Sequence, residues 1–120
     1  MSIERSKRTT VHRSRSERQV WIGLVHVKPT SKDNKFFGED EGAYATALAW
    51  ALNSKDFRAR VAREATRYSM RVIGAKEIEP FLQRRTKFTV ERSIVRLAVD
   101  AKKMRCVRFG TFFAYPKKRV

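Results

Sequence analysis

Hydrophobic and polar positions first fall into a clear pattern between Val20 and Val27. Val20, Ile22 and Leu24 share one phase, and Trp21, Val25 and Val27 the other. A period of two predicts a strand, and apolar residues in both phases predict an interior one. Pro29 closes it, and Thr30 to Asp40 reads as a polar loop around Phe36, Phe37 and Gly38. Ala43 to Leu52 is an alanine-rich run behind Glu39, Asp40 and Glu41. Carboxylates favour a helix N-terminus, so a helix is expected there. Asn53 and Ser54 break it and can cap a second helix, from about Lys55 to Ile73, with Gly74 as its stop.

In that second helix Phe57, Val61, Ala65, Tyr68 and Val72 make the expected buried stripe. Arg60, Arg63, Arg67 and Arg71 recur at helical spacing on one face, with Glu64 offsetting part of the charge. Glu77 to Arg85 reads as a short irregular or helical piece around Pro80, anchored by Ile78, Phe81 and Leu82. Two strands are expected after it. One covers about Lys87 to Val99, with a bulge near Arg92 and Ser93 where the phase of the apolar residues changes. The other covers about Met104 to Tyr115, and Asp100 to Lys103 forms the hairpin loop between them. The expected fold class is α+β: a small antiparallel sheet of about three strands packed on two helices, in the order β-α-α-β-β.

Residues 1–19 stand apart. Arg5, Lys7, Arg8, Arg13, Arg15 and Arg18 are interleaved with Ser and Thr, and little there is apolar. Such a segment cannot bury enough to order itself, so a flexible basic arm is expected at 1–19. A single α+β domain follows at 20–115, then a basic tail at 116–120 containing Lys117, Lys118 and Arg119.

Charge changes the picture most. The chain has 28 Lys and Arg against 12 Asp and Glu, a formal net charge of +16 on 120 residues. That surplus destabilises a free monomer by self-repulsion and makes sense if a polyanion neutralises it. The aliphatic content, with eight Phe, three Tyr and two Trp, still suffices for one modest core. Cys106 is the single cysteine, which excludes an intramolecular disulfide. The Ala43 to Leu52 run is too short to span a bilayer, and no signal-peptide pattern opens the chain. A membrane partner is therefore not expected. The expected compartment is the cytoplasm, or the host cytoplasm for a viral protein.

Nucleic acid, RNA in preference to DNA, is the expected partner. Its phosphates would be gripped by Arg5, Lys7, Arg8, Arg13 and Arg15 of the arm. Arg60, Arg63, Arg67 and Arg71 would add a helix stripe, and Lys117, Lys118 and Arg119 the tail. The stretch Arg108 to Tyr115 places aromatics beside basic residues, and Phe109, Phe112 and Tyr115 are candidate base-stacking rings. It loosely resembles the aromatic strand motif of RNA-recognition-motif domains, with the glycine and aromatic positions out of step. Arg63, Glu64, Arg67, Tyr68, Met70, Arg71, Gly74 and Lys76 to Ile78 resemble one helix of a basic protein family of the eukaryotic and archaeal large ribosomal subunit. No family is assigned on either.

Catalytic signals are weak. There is no phosphate loop, nucleophile elbow or paired histidines on a helix. His26 ends a strand and reads as structural, Cys106 as a packing residue, and Glu39, Asp40 and Glu41 as helix-start electrostatics rather than metal ligands. No cofactor or metal is expected. A second reading, from a different class, is a virus- or mobile-element-encoded inhibitor acting on an acidic protein or a nucleic-acid-binding complex. A small basic nuclease is third, because carboxylates and lysines leave little signature.

Overall fold

The strand β1 (Gln19–Pro29) lies in the middle of an antiparallel sheet, as apolar residues in both of its phases require. The structure is a computed structural model and describes residues 17–31, 34 and 37–117. After β1 come β2 (Asp40–Ala51), α1 (Ser54–Thr66), β3 (Met70–Pro80), α2 (Phe81–Lys87) and α3 (Arg92–Met104). Two short strands end the order, β4 (Val107–Phe109) and β5 (Phe113–Pro116). The sheet order is β3-β1-β2-β4, and β5 pairs with β2 further along the same edge. Between β4 and β5 the ladder continues through Gly110, whose N–H donates to Thr46 O at 2.8 Å. The α+β class and the small antiparallel sheet are as expected. Five strands and three helices are present among the described residues, where about three and two were expected.

The largest correction concerns Ala43 to Leu52, which is not a helix but most of β2. Ala43, Ala45, Ala47, Ala49 and Ala51 alternate with Tyr44, Thr46, Leu48 and Trp50, a strict period of two. All five alanines are at most 1% exposed and share one buried cluster with Phe57, Val61 and Ala65 of α1. Small side chains let that helix lie close to the sheet, and burial of its stripe overrides local helix propensity. Gly23 serves the same approach: a Cβ there would come within 3.0 Å of both Phe57 and Ile78.

At its start α1 is as expected. The Asn53 side chain accepts from Asp56 N–H at 2.8 Å, and the Asp56 carboxylate accepts from Leu52 N–H at 2.8 Å. This reciprocal cap fixes the N-terminus. The helix stops at Thr66 instead of running to Ile73. Arg67, Tyr68 and Ser69 each donate to the carbonyl three residues back, and Ser69 takes a positive φ of 57°. Beyond this turn Met70 to Gly74 pair with β1, so Arg71 and Gly74 are strand residues and Tyr68 is exposed.

Lys87 to Val99 is not a bulged strand. Ile94, Val95, Leu97, Ala98 and Ala101 are the buried or half-buried face of α3, and the phase change at Arg92 and Ser93 is the onset of helical spacing. Asp100 to Lys103 belong to this helix, which ends at Arg105 in the left-handed region (φ 52°). Phe81 of α2 and Ala98 and Ala101 of α3 pack on Ile22 and Leu48, on the sheet face opposite α1. Among the described residues, no helix is long and apolar enough to cross a membrane.

Candidate nucleic-acid interface

Side chains of Ile22, Leu24, His26 and Lys28 share one face of β1. The helices α2 and α3 cover only the Ile22 end of that face. Directly paired residues point to the same side, so the register extends the uncovered half across four strands. Leu24 pairs with Thr46 and Lys76, His26 with Tyr44 and Gly74, and Lys28 with Arg71; Tyr44 in turn pairs with Phe113. Tyr44 is 40% exposed and Phe113 68%, although both are large apolar rings.

An aromatic cluster forms the middle of this face. The His26 ring stacks on Tyr44, with centroids 4.3 Å apart and planes inclined by 18°. Tyr115 leans in from β5, its hydroxyl 2.6 Å from His26 Nε2. Gly42 makes this reach geometrically available. A Cβ at Gly42 would fall 2.5 Å from the Tyr115 hydroxyl and 2.8 Å from Val27 O. Burial lowers the His26 pKa below its ordinary 6.5, and the nearby Lys28 charge lowers it further. Beside the cluster is an open groove of about 330 Å³, lined by Leu24, His26, Tyr44, Gly74, Ala75 and Lys76.

Cations frame these rings. Lys28 donates to Glu41 at 3.3 Å. Arg71 and Lys76 are exposed on β3, and no acidic side chain among the described residues pairs with either. Lys117 follows β5 and is also exposed. Exposed rings on a sheet face that also carries guanidinium and ammonium groups can take planar apolar faces and phosphate together.

The candidate residues from the sequence divide differently from expectation. Arg60, Arg63, Arg67 and Arg71 do not form one helical face. Arg60 is bound to Asp56 at 3.0 Å, Arg67 caps the helix end and pairs with Glu64 at 3.3 Å, and Arg63 is exposed on α1. Arg71 lies instead on the open sheet face. Phe109 and Phe112 contact one another with centroids 5.5 Å apart, pack against the α1-side core and line a groove on that side, away from the open face. Of the three candidate rings only Tyr115 belongs to the open face. Arg5, Lys7, Arg8, Arg13, Arg15, Lys118 and Arg119, with the proposed arm, lie outside the described residues. Glu39, Asp40 and Glu41 occupy a turn and the start of β2, not a helix N-terminus. Among the described residues, no three His, Cys, Asp or Glu converge as a metal site.

Tyr44 and Phe113 were missed as site residues. For Tyr44 the cue was the alanine alternation, which puts it in phase with Leu48 and Trp50, opposite the buried alanines. For Phe113 the cue was its spacing of two from Tyr115, which puts both rings on one face of a strand. Compared with known proteins, the chain matches no family model, no curated protein and no solved structure.

Proposed function

We propose that the chain binds single-stranded nucleic acid, RNA foremost, on the open half of the sheet. The observation that carries this reading is the pair Tyr44 and Phe113, exposed side by side on the same sheet face that carries Arg71 and Lys76 on β3, across β1. Leaving such rings in water costs free energy unless a ligand covers them. Bases of a single strand fit that need, since unpaired bases stack on aromatic rings while their phosphates meet nearby cations. A duplex suits this face less well. Its major groove admits a helix or a two-stranded ribbon, not a broad sheet face, and its bases are already stacked. The net charge of +16 supports the same partner through long-range attraction.

Roles follow from position. Tyr44 and Phe113 stack on bases. His26 and Tyr115 pack against Tyr44 and fix its ring, and Arg71, Lys76 and Lys117 hold phosphates. The test is fluorescence anisotropy with a labelled single-stranded RNA. Tyr44→Ala and Phe113→Ala should each weaken binding by about 1–3 kcal/mol. Arg71→Gln and Lys76→Gln should each flatten the salt dependence by roughly 0.7 in log–log slope. Unchanged affinity in Tyr44→Ala and Phe113→Ala would remove the sheet face from the account.

A further inference from the structure

A second groove lies on the same side of the sheet but at its other end, between α2, α3 and the start of β1. It has a volume of about 320 Å³ and an apolar floor that includes Val20, Trp50, Phe81 and Ala98. Its lips are Leu82 on α2 and Val99 on α3, which are 67% and 58% exposed. Its charged lining residues are Arg18, Arg85 and Lys102, and no lining residue is acidic. The Arg85 guanidinium lies over the Phe81 ring at 5.9 Å, along the floor.

We infer that this groove docks an acidic amphipathic segment of a partner protein. Two exposed aliphatic lips facing each other across an apolar floor fit the apolar anchors of a helix laid into a groove. Three cations around that floor select Asp and Glu on the flanks of those anchors and repel a basic segment. Nucleic acid fits less well, because the exposed lips are aliphatic and offer no free aromatic face. Both floor rings already carry guanidiniums, Arg105 over Trp50 at 5.6 Å and Arg85 over Phe81 at 5.9 Å. The site shares neither Tyr44 nor Phe113 with the sheet-face reading, so each stands or falls alone.

The test uses the full chain and a synthetic helical peptide with leucines at i, i+4 and i+7 and glutamates on either side. Binding is read by labelled-peptide anisotropy and by the change in Trp fluorescence. A scrambled peptide of the same composition and a version with lysine in place of glutamate are the controls. The expected result is saturable binding of the acidic amphipathic peptide alone. Leu82→Glu and Val99→Glu, both at solvent-exposed positions, should each weaken it by roughly tenfold or more. Both variants should keep the unfolding midpoint and the RNA affinity of the parent, while Tyr44→Ala should leave peptide binding unchanged. Equal binding of the scrambled peptide, or no loss in Leu82→Glu and Val99→Glu, would overturn the inference. So would displacement of the peptide by single-stranded RNA in the Tyr44→Ala variant, which would make the groove a nucleic-acid site. Self-association that Leu82→Glu abolishes would likewise overturn it, by showing a second copy as the occupant.

Discussion

Gly42 is the residue on which the aromatic cluster most depends. Its missing Cβ is the space that the Tyr115 hydroxyl occupies on its way to His26. In Gly42→Ala the methyl also meets backbone at Val27 O, which cannot rotate away. Stability should fall by about 1–3 kcal/mol, as for other forced insertions into packed sites, with a lower midpoint in urea. His26 supplies a second prediction. Its folded pKa lies below the ordinary 6.5, so the unfolded chain takes up a proton first as pH falls. This contribution to stability is whole above pH 6.5 and declines below it, levelling once the folded imidazole also protonates. Because Lys28 is the second cause of the shift, Lys28→Gln should raise the His26 pKa toward 6.5 without fully restoring it, as read by NMR titration of the ring protons. An unchanged value would mean that Lys28 does not act on His26.

At the scale of elements, β2 shows what the chain states openly and what it conceals. Its alternation is visible in the residue string, yet alanine and a preceding acidic cluster argue locally for a helix. The decision is made by α1, whose Phe57, Val61 and Ala65 need a flat, shallow surface to bury against. Long-range pairing of this kind has no local signature. Replacing Ala47 by Leu should therefore destabilise the protein by about 1–3 kcal/mol, although leucine is the more hydrophobic residue. A stability gain would contradict close packing of α1 on the sheet. β1 was legible because both of its faces are apolar, and the Asn53 cap because its partner Asp56 is three residues away. α3 was not, because its apolar residues fit a bulged strand and a helix equally until their burial is known. The anchoring of α2 is likewise tertiary: Glu79 on β3 binds Lys87 and Arg84. Those bonds lower the Glu79 pKa below its ordinary 4.5, Lys87 contributing most. Their stabilisation is present above pH 4.5 and is lost as pH falls through the folded value.

For the molecule as a whole, the two sheet faces have different fates. One is closed by α1 over an alanine floor. The other is half closed by α2 and α3 and half open, with rings and cations where a core would otherwise be. Charge was readable from composition at once, but its placement was not. The four arginines expected on one helix separate into an ion pair, an exposed α1 side chain, a helix cap and a strand residue, and the turn at Ser69 is what carries Arg71 onto the sheet. The aromatic strand near the C-terminus separates similarly, with Phe109 and Phe112 turned to the core side and Phe113 and Tyr115 to the open face.

The most direct test follows backbone amide shifts by heteronuclear NMR while a single-stranded RNA is titrated in at low salt. The account predicts shifts centred on Leu24, His26, Tyr44, Gly74, Lys76 and Phe113, fading as salt is raised, with the exposed face of α1 unaffected. Shifts confined to α1 and the terminal segments, or none at any salt concentration, would contradict it.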